Sequence, residues 1–255
     1  MSWLHWLSHW RVRRVLKRHP IDHRLWLEVV HQLPLLQQLD AVERAYLREL
    51  TTLFLQQKSF SAAHDLLITE RMKVVVAAQA CLLVLHLGLD YYRGWVEIVL
   101  YPGAFRVHRD QQDSDGVSHD QASALSGEAW LRGPVILSWQ DVERDSQHCH
   151  AGHHVVLHEF AHKLDGLNGA ANGMPPLRRH MSHTRWTQVL SEAYQHLCRS
   201  VELGQASDIP AYGATNPAEF FAVVTECFYT APHRLQQSHP ALYEQFCLFY
   251  QQRAL

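Results

Sequence analysis

From His23 to about Leu55, apolar residues recur three and four positions apart through LWLEVVHQLPLLQQL and DAVERAYLRELTTLFLQQ. That is the spacing of helices with one buried face. Pro34 interrupts the run, so the stretch predicts two or three helices, the later one opened by Asp40 with Glu43 three positions on as a capping pair. After a polar stretch around Ser59, the run VVVAAQACLLVLHLGLDYY predicts a buried helix from about Lys73 to Leu87, ending at Gly88. It contains Gln79 and His86 and falls short of the roughly 20 apolar residues that a membrane span needs. The β-branched and aromatic WVEIVLYPGAFRV, punctuated by Pro102-Gly103, predicts strand, turn, strand, and RDQQDSDGVSHDQ reads as an exposed loop. A second strand pair is expected in SALSGEAW and PVILSWQDV, joined through Arg132-Gly133-Pro134. Helical spacing returns over Val155 to Leu164, Thr184 to Val201, Pro217 to about Tyr229 and PALYEQFCLFYQQ, with the loop DGLNGAANGMPPL after the first of these.

This pattern describes an α+β protein, mainly helical with a small mixed sheet. Residues 1–60 are expected to form an N-terminal helical extension and residues 61–255 the core, together one compact unit. At 255 residues, 47% hydrophobic and 19% charged, the chain is long enough for one sizeable core. A formal charge of -2 gives no pull toward nucleic acid. The cysteines Cys81, Cys149, Cys198, Cys227 and Cys247 are odd in number and lack any CxxC pair, so they read as reduced thiols, and a cytoplasmic location is expected. The N-terminus carries Trp3, Leu4, Trp6, Leu7 and Trp10 ahead of a basic run, the wrong order for a secretory signal. Its helical spacing suits packing on the body of the protein or on a partner better than lying on a membrane surface.

One stretch changes the picture from fold to chemistry. In VVLHEFAHKLDG, His158 and His162 stand four apart and so on one helical face, with Glu159 placed beside them. Two imidazole ligands and a base for a metal-activated water then come from one turn of helix. Leu157 and Phe160 make the helix otherwise apolar, where unpartnered imidazoles would be expensive to bury. A catalytic zinc takes three protein ligands. The extended HExxHxxGxxH pattern is absent, since Asp165 stands at its glycine and Asn168 at its last histidine. The third ligand comes from elsewhere, and NPAEFFAVVTECFY offers Glu219 and Glu226 on nearly one face. These lie about 10 Å apart along a helix axis, so both cannot bind one ion. Asp165 either orients His162 or terminates the helix, and the histidine-rich HCHAGHH, with His148, Cys149, His150, His153 and His154, reads as a solvated loop more readily than as a second metal site.

Several segments in the same order resemble the Mlc titration factor A family of bacterial zinc metallopeptidases. They are FLQQKSF, LHLGLDYYRGWVEIVLYPGAF, GPVILSWQDV, HEFAHKLDGLNG, AYGATNPAEFFAVVTECFY and FCLFYQQ, and they cover most of the chain. The resemblance implies a zincin-like core, similar to the protease domain of anthrax lethal factor. It also implies one Zn2+ held by His158, His162 and Glu219, with Glu159 as general base and Tyr212 facing the reacting carbonyl. Asn216 stands where that pattern leads one to expect Asp. Glu226 is left as a buried acceptor behind the ligands. The implied activity is aminopeptidase-like hydrolysis of peptides, with the strand PVILSW as a candidate edge for an extended substrate. Binding of the glucose-regulatory repressor Mlc is implied as well. The alternatives are a regulator that sequesters the repressor, with peptidase activity secondary, and a histidine-rich metal buffer that takes several ions.

Overall fold

The computed structural model of the protein describes residues 12–103, 133–147 and 150–253. The tryptophan-rich start, the acidic loop at 109–121, the second arm of the first expected strand pair, the first arm of the second, and His148 and Cys149 lie outside the described residues.

The described residues open with a helical stretch over 12–18, followed by α1 (His23–Gln32), the short α2 (Pro34–Gln37) and α3 (Ala41–Gln57). Asp40 caps α3 by accepting from the Val42 and Glu43 amides, and the Glu43 carboxylate accepts from the Asp40 amide, the reciprocal pair expected from the sequence. Strand β1 (Ser59–Ala62) follows, then α4 (Glu70–Leu83), whose residues from Val74 to Leu83 are all buried. A helix that is apolar all round must sit centrally. Strands β2 (Glu97–Tyr101) and β3 (Val135–Ser138) lead into α5 (Trp139–Gln147) and α6 (Val155–Asp165). The chain closes with α7 (His183–Glu202), α8 (Pro217–Thr230), α9 (Pro232–Ser238) and α10 (Pro240–Tyr250).

The sheet is small, as expected, but among the described residues it is wholly parallel and not mixed. Its order is β1-β2-β3, with Ser59 opposite Glu97 and Ile98 opposite Val135. Turn signals such as Pro102-Gly103 advertise a local reversal, whereas a parallel pair joins strands separated by a long crossover that leaves no local mark. Strand β1 escapes sequence reading because SFSA is short and carries two serines; Ser61 Oγ donates to Glu97 on β2 at 2.7 Å. The residues WQDV, expected to extend the last strand, instead begin α5, where Val142 is buried and Asp141 and Glu143 are not.

Helix α6 runs through the middle of the core. Phe160 meets Phe54, Tyr92 and Trp95 with ring centroids 5.3 to 5.9 Å apart, so one side of α6 is held by α3 and by the approach to β2. Lys163, one residue after His162, donates to Gly133 O at 2.8 Å and ties α6 to the start of β3. The other side of α6 lies on α8, all but two of whose residues are buried. α8 in turn rests on an aromatic cluster in which Trp186 of α7 stacks on Phe246 of α10 at 5.7 Å. No helix among the described residues is long and apolar enough to cross a membrane.

Candidate metal centre

His158 and His162 project from consecutive turns of α6 with ring centroids 4.8 Å apart. Across from them, Glu219 stands in the first turn of α8. Asn216 caps that helix, its Oδ1 accepting from the Glu219 amide at 2.9 Å, and Pro217 occupies the first position, where a missing N–H does no harm. Asn216 thus does the capping work that Asp would do. A carboxylate in this first turn also faces the positive end of the helix dipole. Glu219 Oε2 lies 3.1 Å from His158 Nε2 and 3.3 Å from His162 Nε2, and the two nitrogens are 3.1 Å apart.

These three atoms form a nearly equilateral triangle of groups that each carry a lone pair. Bonds of about 2.0 to 2.2 Å in a tetrahedral zinc site place ligand atoms roughly 3.3 Å from one another, close to the sides of this triangle. Two imidazoles and a carboxylate are a suitable donor set for that ion. Among the described residues, this is the group of three side chains close enough to hold a metal.

The far nitrogen of His158 decides which face it offers. Its Nδ1 lies 2.7 Å from Glu226 Oε1, so Nδ1–H donates to the carboxylate and Nε2 faces Glu219 and His162. Glu226 Oε2 accepts from the backbone amide of His154, so this buried carboxylate is occupied on both oxygens. Glu219 and Glu226 therefore grip opposite nitrogens of one imidazole. Burial opposes charge on His158, but the two carboxylates outweigh it and raise its pKa to about 10. Burial likewise pushes the Glu219 carboxyl up, while His158 and His162 hold it far below the usual carboxylate range. Both shifts describe a pocket that favours one concentrated positive charge between these side chains.

Glu159 follows His158 directly and is half-buried, next to the centre but outside the triangle. Tyr212 lies in a 3-10 turn, Ala211–Ala214, just before α8. Its ring is 5.9 Å from that of His158, and half of its surface is open to solvent. The turn is fastened on several sides: Tyr194 of α7 donates to Ala214 O at 3.3 Å, Thr215 Oγ1 donates to Tyr212 O at 2.7 Å, and Gly213 fits between Leu197 and Val223.

The remaining sequence candidates separate. Asp165 is fully buried and does not meet His162 by a hydrogen bond; its Oδ2 accepts from the Gly173 amide at 2.8 Å. Asn168 is exposed and turns to the Met174 carbonyl at 2.7 Å, away from the triangle. His150 and His153 are exposed, whereas His154 is buried at the N-cap of α6, where desolvation lowers its pKa to about 4. One contributor has no local sequence signal: Asp145, ten residues before α6, is buried and accepts from the Val155 amide at 2.9 Å and from His153 Nδ1 at 3.3 Å. It anchors the start of the helix that carries both histidines.

A paired His-x-x-x-His on one helix, closed by a glutamate from a second helix, marks the class of metal-dependent hydrolases. The family model of the glucose-regulated metallo-peptidases M90 matches residues 7–251, and the chain belongs to that family. It is 39% identical over 228 residues to Mlc titration factor A of Klebsiella pneumoniae, covering 88% of this chain and 84% of that protein. Against Mlc titration factor A of Yersinia pestis the identity is 37% over 233 residues, or 90% and 85% of the two chains. An uncharacterized protein of Synechocystis sp. is 38% identical over 248 residues, 96% of this chain and 89% of its own.

Proposed function

We propose that the protein is a zinc-dependent peptidase of zincin-like design that hydrolyses short peptides in the cytoplasm, in an aminopeptidase-like manner. The observation that carries this reading is the triangle of His158 Nε2, His162 Nε2 and Glu219 Oε2, with sides of 3.1 to 3.3 Å, directly beside Glu159. These three side chains would hold one zinc ion, which supplies Lewis-acid chemistry by activating water near neutral pH and polarising the scissile carbonyl. Glu159 takes the proton of the attacking water and returns it to the leaving amine. Tyr212, fastened in its turn but open to solvent, donates its phenol hydrogen to the oxygen that gains charge. Among the described residues strand β3 ends the order β1-β2-β3 and is tied to α6 through Lys163, which suits it to hold an extended peptide by main-chain hydrogen bonds.

Metal analysis and a peptide-library digest test the assignment together. The expected result is one zinc per chain, cleavage that stops with a chelator and returns with zinc, and release of N-terminal residues. Several ions per chain would favour a metal buffer, and internal cuts alone would remove the aminopeptidase assignment. Tyr212→Phe is expected to keep its zinc and melt as the parent does, while turnover falls about 10- to 100-fold. The loss is set below the 10²- to 10³-fold of a fully enclosed oxyanion donor because Tyr212 is half exposed to water. Equal turnover on several peptides would leave Tyr212 a packing residue.

The name shared by the Klebsiella and Yersinia relatives supports a second role, binding of the repressor Mlc. Retention of His158, Glu159, His162 and Glu219 argues that chemistry accompanies any such binding, since a pure sequestering protein would have no use for this set. A pull-down with purified Mlc, repeated on Glu159→Gln, separates the roles: binding that persists in the inactive variant belongs to the surface and not to the peptidase.

A further inference from the structure

His162 lies in the last turn of α6 and Glu219 in the first turn of α8, so the 3.3 Å between them depends on how the end of one helix is held against the start of the other. Between those ends lies Gly173. Its amide donates to Asp165 Oδ2, on the final residue of α6, at 2.8 Å. Its carbonyl accepts from the Trp186 indole at 3.0 Å, which fastens it to the stacked aromatic core. Its φ is +75°, and a Cβ there would stand 2.7 Å from the Pro217 carbonyl oxygen, in the opening residue of α8. Only glycine allows this approach without displacing backbone.

We propose that Asp165, Gly173 and Trp186 form a bracket that sets the separation of His162 from Glu219, which makes Asp165 and Gly173 positioning residues of the metal centre. The proposal rests on the reading of His158, His162 and Glu219 as the ligand set. It accounts for the chemistry of the loop after α6. Asp165 is fully buried; its Oδ1 has no hydrogen-bond partner among the described residues, and its carboxylate faces the backbone amides of this loop, with that of Gly173 in hydrogen-bond contact. The loop is shaped to deliver that amide: Asn168 spans it by accepting from Ala170 N and donating to Met174 O, and Asn172 accepts from Met174 N.

The test uses the full chain and two readouts. Zinc affinity is measured by chelator competition, and hydrogen exchange is followed in the metal-free protein at the Glu219 and Phe220 amides, both of which bond to Asn216 in the first turn of α8. Gly173→Ala and Asp165→Ala are expected to weaken zinc binding on the order of 10- to 100-fold, the scale of lost support behind ligands. They should also speed exchange at those two amides about tenfold or more, as a loosened local unit does. Asp165→Asn keeps an oxygen for the Gly173 amide and should restore most of the exchange protection, which also covers the case in which Gly173→Ala does not fold. Gly204→Ala is the control: it meets similar strain at φ +63° with nothing within 4 Å, and both readouts should match the parent. Zinc affinity in Gly173→Ala and Asp165→Ala equal to that of Gly204→Ala would overturn the proposal. If the parent protein bound no zinc, the ligand reading would fall by itself. The exchange readout would still decide the bracket, with unchanged protection in Asp165→Ala counting against it.

Discussion

Glu159→Gln is expected to bind zinc as the parent does and to lose turnover on the order of 10²- to 10⁴-fold, the usual contribution of a positioned acid-base group. The reasoning starts from helix geometry. Glu159 is one residue past His158, so it points about a quarter-turn away from the face that carries both imidazoles. Its carboxylate is not among the three atoms of the triangle, yet it is near enough to favour positive charge on His158. Gln preserves the shape and one acceptor oxygen but cannot take a proton from water. Metal analysis beside a kinetic assay gives the answer. A loss of zinc equal to the loss of turnover would make Glu159 part of the coordination and end its assignment as base.

Glu219→Ala should lower zinc affinity by orders of magnitude, well beyond the effect of Glu226→Ala. Removing Glu219 leaves two histidines where three ligands stood, and two imidazoles four apart on a helix form a far weaker site. Removing Glu226 leaves the triangle whole but strips the acceptor from His158 Nδ1 and from the His154 amide. The imidazole is then free to turn, which predicts a 10- to 100-fold loss in affinity, or about 1.4 to 2.8 kcal/mol. Each buried donor left without a partner adds about 1 to 3 kcal/mol of destabilisation, so Glu226→Ala should also melt at a distinctly lower temperature. Chelator competition and thermal melts on both variants separate the two cases. A larger zinc defect in Glu226→Ala would reverse the assignment of ligand and support.

Much of this was legible along the chain because it rests on contacts within a few residues. The spacing of apolar positions places the helices that end in Gln57, Asp165, Glu202 and Thr230 to within a few residues, because helical burial repeats every three to four positions. The Asp40 cap and the shared face of His158 and His162 are equally local, being a matter of three and four residues. The two glutamates of α8 could be named as candidates for the same reason. The parallel sheet could not be read in this way: β1 pairs with β2 across the whole of α4, and nothing in SFSA announces the partner.

By itself, then, the sequence determined an α+β chain with a helix that pairs two candidate metal ligands, His158 and His162, and a short choice of third candidates. Tertiary packing decided how they meet. The antagonistic grip of Glu219 and Glu226 on opposite nitrogens of His158 exists only once α8 is laid against α6, since those residues are 61 and 68 positions away in the chain. Asp165 does end α6, as one of its two local readings had it, but its side chain goes to the amide of Gly173, because folding brings Gly173 against Pro217 and turns its N–H toward the end of α6. Helical periodicity fixes which side chains share a face, but a ligand atom must be placed to within a few tenths of an ångström, and that precision comes from close-packed contacts between segments far apart in the chain.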